Sequence, residues 1–195
     1  DAAIDRMLIT KVRSDLAVAQ GYFDRVLGEV RSSAAAVANS HGLHLALEAG
    51  RQQPSGTASM NGLIGFLRAY KTKEKLDFIN FRGVDGRLVA TDSGAPREND
   101  QQSPAFHAAT AGRGTATVEI LEPAELRLLA PALQSRVAVP LLPTRNAAPT
   151  KRSQEDRAMV LLAGADVLDG NGRRIGQIQA GLLLNDALPV QMTLY

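Results

Sequence analysis

A chain of 195 residues with 45% hydrophobic and 22% charged residues has room for one domain with its own core, or one domain plus an appended helix. Its 22 basic and 20 acidic residues leave a net charge of only +2, and no basic run is interleaved with aromatics, which speaks against nucleic-acid binding. The absence of cysteine excludes a disulfide framework, a thiol nucleophile, a Cys-ligated zinc site and a c-type haem attachment.

No apolar run approaches the roughly 20 residues of a membrane span, and no signal peptide is visible. The chain begins at Asp1, so we expect a piece of a longer protein, cut just after a membrane helix and before another element. With aromatics at 4% and no Trp, the core is expected to be aliphatic.

From Ile4 to about Val37 there is no Pro, and Leu16, Ala19, Phe23, Val26, Val30, Ala34 and Val37 recur at steps of three and four. That spacing predicts one long helix with a continuous apolar stripe, suited to pairing with a second copy. Such a helix of about 35 residues would reach roughly 50 Å. Helical periodicity resumes over His41 to Ala49 and again from about Ala58 to Lys73, where Met60, Leu63, Ile64, Leu67 and Tyr70 share a face. The dense basic run Lys71 to Lys75 reads as a solvated helix end.

The period then changes. Leu76 to Phe81 and Arg87 to Thr91 flank Val84-Asp85-Gly86 as a β-hairpin, and a polar loop runs from Asp92 to Ser103. A short helix is predicted over Pro104 to Thr110, opened by Ser103-Pro104. Gly114 to Leu121 and Ser135 to Leu142 read as strands, and Leu142 to Asp156 as a solvated loop. Arg157 to Leu168 and Arg173 to Leu184 form a second hairpin across Asp-Gly-Asn-Gly. Strands joined this closely are mainly antiparallel, because a parallel crossover needs a dozen or more residues. The expected fold is α+β, with five or six antiparallel strands. The domain plan is a long helical region over residues 1–50 and an α+β domain over 51–195.

Catalytic signals are few. His41 and His44 lie three apart on a helix, and His107 is the only other histidine, so helix-surface histidines are the expected reading. Asp85-Gly86 and Asn171-Gly172 match type I′ turn chemistry, which needs positive φ at both central residues. Gly112-Arg113-Gly114 lacks the pattern of a phosphate cradle and is read as a turn. No GxSxG elbow surrounds any Ser, and nothing marks Glu122 and Glu125 as a buried acid–base pair. The expectation is a domain without enzymatic activity and without a cofactor.

"LDFINFRGVDGRLVATDSG", "SPAFHAATAGRG" and "AGADVLDGNGRRIGQIQAGLLLN" together resemble the Cache family, the PAS-like extracytoplasmic sensor domains of bacterial chemoreceptors and sensor histidine kinases. A first strand–Asp-x-Gly–strand unit, a late alanine-rich strand, then Ile175-Gly176 and a strand carrying Gly181 sit where that family's pattern has them. The resemblance covers most of the chain and implies a long helix entering from the membrane, then a PAS-like sheet. It also implies a periplasmic location, anchorage through segments outside this chain, and a small-molecule ligand held between the sheet and the Asp92–Arg113 segment.

Candidate ligand-binding residues are polar ones on otherwise apolar elements: Tyr70, Asn80, Arg82, Phe106, His107, Arg127 and Arg136, the last opening a strand. A core-facing Arg needs a partner, and a carboxylate fits its fork bidentately. The Tyr, Arg, Trp and Asp set of amino-acid-binding relatives is not recognisable, so the expected ligand is a short organic carboxylate. The alternative is a structural or dimerisation module with no small ligand.

Overall fold

The computed structural model describes residues 2–52, 57–96, 116–140 and 154–184. Helix α1 (Ala2–Ala38) runs 37 residues, about 55 Å at 1.5 Å per residue. Its stripe divides in two. Val30, Ala34 and Val37 are buried and Phe23 and Val26 half-buried, whereas Val12 is 54% and Leu16 64% exposed. Among the described residues, only the C-terminal half of the helix therefore finds a surface to cover.

Ser40 ends α1 and starts α2 (His41–Gln52): its Oγ donates to the Val37 carbonyl at 2.8 Å and accepts from the Leu43 N–H at 3.3 Å. Helix α3 (Thr57–Lys73) stops where Lys75 turns left-handed at φ 54°, with the Leu76 N–H donating back to the Lys71 carbonyl.

Five strands follow: β1 (Phe78–Gly83), β2 (Leu88–Thr91), β3 (Ala116–Leu121) and, after two short strands, β6 (Ala158–Leu168) and β7 (Arg174–Leu183). They form one antiparallel sheet in the order β2-β1-β7-β6-β3, the α+β architecture expected. The last strand is thereby central, and the first hairpin lies against the last, Phe78 opposite Gly181, 103 positions on.

Both hairpins differ from the expected type I′ geometry. Only the glycines are left-handed, Gly86 at φ 83° and Gly172 at φ 74°. The Gly86 N–H donates to the Gly83 carbonyl at 3.0 Å and the Gly172 N–H to the Asp169 carbonyl at 2.9 Å. Each loop is thus three residues long, a type I turn closed by a left-handed glycine. Asp85 and Asp169 explain the preference: each Oδ1 accepts from a backbone N–H two residues on.

The expected strand over Ser135–Leu142 is a second correction. Helix α4 (Pro123–Leu129), a 3-10 turn (Pro131–Leu133) and helix α5 (Gln134–Val137) come first, and β4 (Val139–Pro140) pairs only with β5 (Gln154–Glu155). Leu126, Leu129, Leu133 and Val137 are all buried, at steps of three and four. That helical spacing outweighs the β-branched residues that suggested a strand. Glu122 and Glu125 serve the start of α4, the Glu125 carboxylate accepting from the Glu122 N–H at 2.9 Å.

The two sheet faces carry different layers. Ile79, Phe81, Ile178, Ala180, Leu161 and Ala163 face α1, α2 and α3. On the other face Phe78, Val160, Leu162 and Leu183 pack with α4, the 3-10 turn and α5. Gly181 makes this possible, because a Cβ there would lie 2.1 Å from the Phe78 ring carbons. Gly176 similarly clears the ring of Phe81. The predicted helix over Pro104–Thr110 and most of the Leu142–Asp156 loop lie outside the described residues.

Candidate functional site

Apolar packing under α4 and α5 covers one half of its sheet face; the other half is polar. Strand alternation aims Asn80 and Arg82 of β1 and Gln177 and Gln179 of β7 at the same side, with Asn80 opposite Gln179 and Arg82 opposite Gln177. Thr91 of β2, opposite Asn80, extends the row. All five side chains are buried. Buried polar groups in the middle of a sheet cost free energy unless they are satisfied, so a cluster of them asks for a purpose.

The Arg82 guanidinium donates from Nε to Gln179 Oε1 at 2.8 Å and from Nη1 to the Gly86 carbonyl at 2.9 Å. Burial pulls its pKa from the ordinary 12.5 down to about 10, so it remains a cation at neutral pH. Asn80 differs: neither its Oδ1 nor its Nδ2 meets a hydrogen-bond partner among the described residues. It presents one acceptor and two donors beside a cation in a dry environment.

The row is tied to the helix layer through the next residue. Asp92, also buried, accepts the Ile79 N–H on Oδ1 at 3.1 Å and the Lys71 ammonium on Oδ2 at 2.7 Å. Its backbone carbonyl accepts from Arg68 Nε at 3.2 Å. One carboxylate thus fastens β1, the end of β2 and α3 together. Just beyond the end of α3, Glu74 accepts from the Ser33 hydroxyl of α1 at 3.1 Å. At the outer end of the row, a hollow of about 520 Å³ opens between Thr91, Gly94 and Pro96 on one side and Arg127 and Leu128 on the other.

The structure therefore brings Asn80 and Arg82 together and sets Arg127, exposed on α4, at the hollow that reaches Thr91. Tyr70 lies on the opposite side of the sheet, its ring 4.5 Å from that of Phe66 and beneath Lys73 Nζ. Arg136 sits on helix α5 instead of opening a strand, and its Nη1 binds Asp77 Oδ1 at 2.8 Å. Asp77 Oδ2 in turn accepts the Leu183 N–H at 2.7 Å, so Arg136 pins α5 to the sheet. Phe106 and His107 lie outside the described residues. Sequence reasoning missed Gln177 and Gln179; their alternation with Ile178 and Ala180 was the available signal. Among the described residues no cluster of three or more His, Asp or Glu could hold a metal ion. No described helix is long and apolar enough to cross a membrane.

Neither a family model nor a curated protein sequence matches the chain. Among solved structures it is similar to the periplasmic domain of Vibrio cholerae LuxQ, with 18% identity over 86% of this chain and a TM-score of 0.45. It is also similar to an extracellular domain assigned to the histidine kinase vpHK1S-Z8, at 12% identity over 90% of this chain and a TM-score of 0.47. A third is a domain assigned to a sensory box/GGDEF family protein of Vibrio parahaemolyticus, at 12% identity over 90% of this chain and a TM-score of 0.46. The chain covers 61%, 57% and 60% of those three solved chains.

Proposed function

We propose that the chain is the extracytoplasmic ligand-sensing domain of a membrane-anchored receptor, a chemoreceptor or sensor kinase, and that it binds a short organic carboxylate. It acts by binding and conformational change, without catalysis. The observation that supports this most is the buried row Asn80, Arg82 and Gln179 with an amide that has no partner among the described residues. A carboxylate there would meet the guanidinium of Arg82, and the Asn80 amide would donate to its second oxygen or accept from a neighbouring hydroxyl. A ligand can bias two signalling states only by its difference in affinity for them, so the route from the site to α1 matters. Two polar contacts lie along such a route, Asp92 with Lys71 of α3 and Glu74, just beyond the end of α3, with Ser33 of α1.

The test is a thermal-shift and calorimetry screen of the purified domain against acetate, lactate, succinate and malate, with amino acids and amines alongside. Stabilisation by one or more carboxylates, lost on Asn80→Leu, is the expected result. Stabilisation by amines alone would overturn the carboxylate reading. The second reading, a dimerisation module without a small ligand, is favoured by the apolar side chains that the N-terminal half of α1 leaves in solvent. A screen in which no compound stabilises the domain, with self-association intact, would favour it.

A further inference from the structure

The opposite face of the sheet holds a larger hollow, of about 710 Å³, between α2, the start of α3 and the hairpin ends of β1 and β7. Its walls are mainly Leu47, Met60, Leu63, Phe81, Val89 and Ile175, with the hydroxyls of Thr57 and Ser59 at the start of α3. Phe81 alternates with Asn80 along β1, so this hollow and the polar row are back to back. Its size falls in the range of about 300–1,000 Å³ typical of small-molecule sites.

Charge at the hollow has one sign. Arg51, from the last turn of α2, and Arg174, at the start of β7, line it, and no carboxylate does among the described residues. Arg174 binds Asp166 through Nε at 2.9 Å, which uses one of the guanidinium's five donors. A sugar or nucleotide would need polar groups all along the walls, and these are hydrocarbon apart from Thr57 and Ser59. A cationic amphiphile would meet two arginines. Hydrocarbon walls under a cationic rim match a molecule with an alkyl chain and an anionic head.

We propose that this hollow binds a medium-chain alkanoate, its chain against Leu63 and Phe81 and its carboxylate at Arg51 and Arg174. The site is independent of the sheet-face site and stands whether or not that site takes a ligand. Its walls belong to the same layer as the buried half of α1, so an occupant acts on the helix layer directly. Burying each added methylene raises affinity about fourfold, up to the length the hollow can cover.

The chain has no Trp but only four methionines, which makes methyl NMR of 13C-methionine-labelled protein a direct readout. Octanoate is expected to move the Met60 methyl signal and leave Met159, half-exposed on β6, unmoved. From hexanoate to octanoate the affinity should rise about 16-fold, two methylenes at fourfold each. The double variant R51Q/R174Q should weaken octanoate at least tenfold and leave 1-octanol unchanged. Asn80→Leu should change neither result. No Met60 shift at millimolar octanoate, an affinity independent of chain length, or 1-octanol binding as tightly as octanoate would each overturn the proposal. Loss of the Met60 response in Asn80→Leu would move the alkanoate to the polar face and overturn it as well.

Discussion

At the scale of single residues, Asn80 and Gly181 show two kinds of constraint on one sheet. Asn80 is fully buried with an amide that meets no partner among the described residues, and an unsatisfied buried polar group costs about 1–3 kcal/mol. Asn80→Leu exchanges it for an apolar side chain of similar size. The free domain should gain about 1 kcal/mol of stability, and stabilisation by a carboxylate should disappear; chemical denaturation with and without succinate measures both. If Asn80→Leu instead lowers stability by more than 1 kcal/mol, the amide is structural and the site reading loses its main support. Gly181 is constrained by sterics. Its missing Cβ leaves the space the Phe78 ring fills, so Gly181→Ala overpacks a central strand. The expected loss is about 1–3 kcal/mol, seen as a lower denaturation midpoint at unchanged slope. The glycine was legible as a signature of the late strand; its reason was not, because Phe78 lies 103 positions earlier in the chain.

At the scale of elements, the joints between helices and sheet rest on a few carboxylates. Asp92 is the joint between α3 and the β1–β2 hairpin. Asp92→Asn keeps the shape but loses the ion pair with Lys71, whose side chain is 26% exposed and therefore partly screened. A loss of about 2 kcal/mol is expected, together with faster amide exchange at Ile79. Asp169 plays the corresponding part in the β6–β7 turn. The Arg173 backbone N–H above all holds its carboxyl below the ordinary 3.8; desolvation, the next largest influence, opposes it, and the Asn171 N–H and the Arg173 side chain add to the lowering. A depressed folded pKa means that the stabilisation is present above the unfolded value and is lost as pH falls through the folded one. Hairpin-tip amides should therefore lose protection as pH falls below the ordinary 3.8, and Asp169→Asn should remove that dependence. The three N-terminal helices, the strands of both hairpins and the placing of Asn80 and Arg82 on one strand followed from local periodicity alone. Gln177 and Gln179 did not, since their meeting with β1 depends on the last strand lying at the centre of the sheet. Arg82 and Gln179 are 97 residues apart, and no local pattern carries a contact of that range. The helical turns at Gln134–Val137 were hidden by Val and Pro, residues whose local preference yielded to the burial of Leu133 and Val137.

At the scale of the molecule, the question is what covers the first half of α1. Met7, Val12, Leu16 and Val18 are all more than half exposed on a helix whose second half docks on the sheet. Contiguous exposed apolar side chains mark an interaction surface. Val12, Leu16, Ala19 and Phe23 recur at four, three and four, the seam of a two-helix coiled coil. A second copy of the chain would supply the matching seam without any further partner. Sedimentation equilibrium is expected to show a concentration-dependent dimer. The double variant V12E/L16E should be monomeric with an unchanged melting temperature at low protein concentration, because both side chains project away from the domain core. If that variant still dimerises, the surface lies elsewhere, and the exposed Val118, Ile120 and Met159 on β3 and β6 are the next place to look. Linkage then joins this surface to the ligand site: if a carboxylate changes the dimer constant by some factor, dimerisation changes the carboxylate's affinity by the same factor. Measuring both in wild type and in Asp92→Asn places the coupling. A factor that falls to one in the variant assigns it to the Asp92 joint, and an unchanged factor sends it through the apolar layer beneath α1.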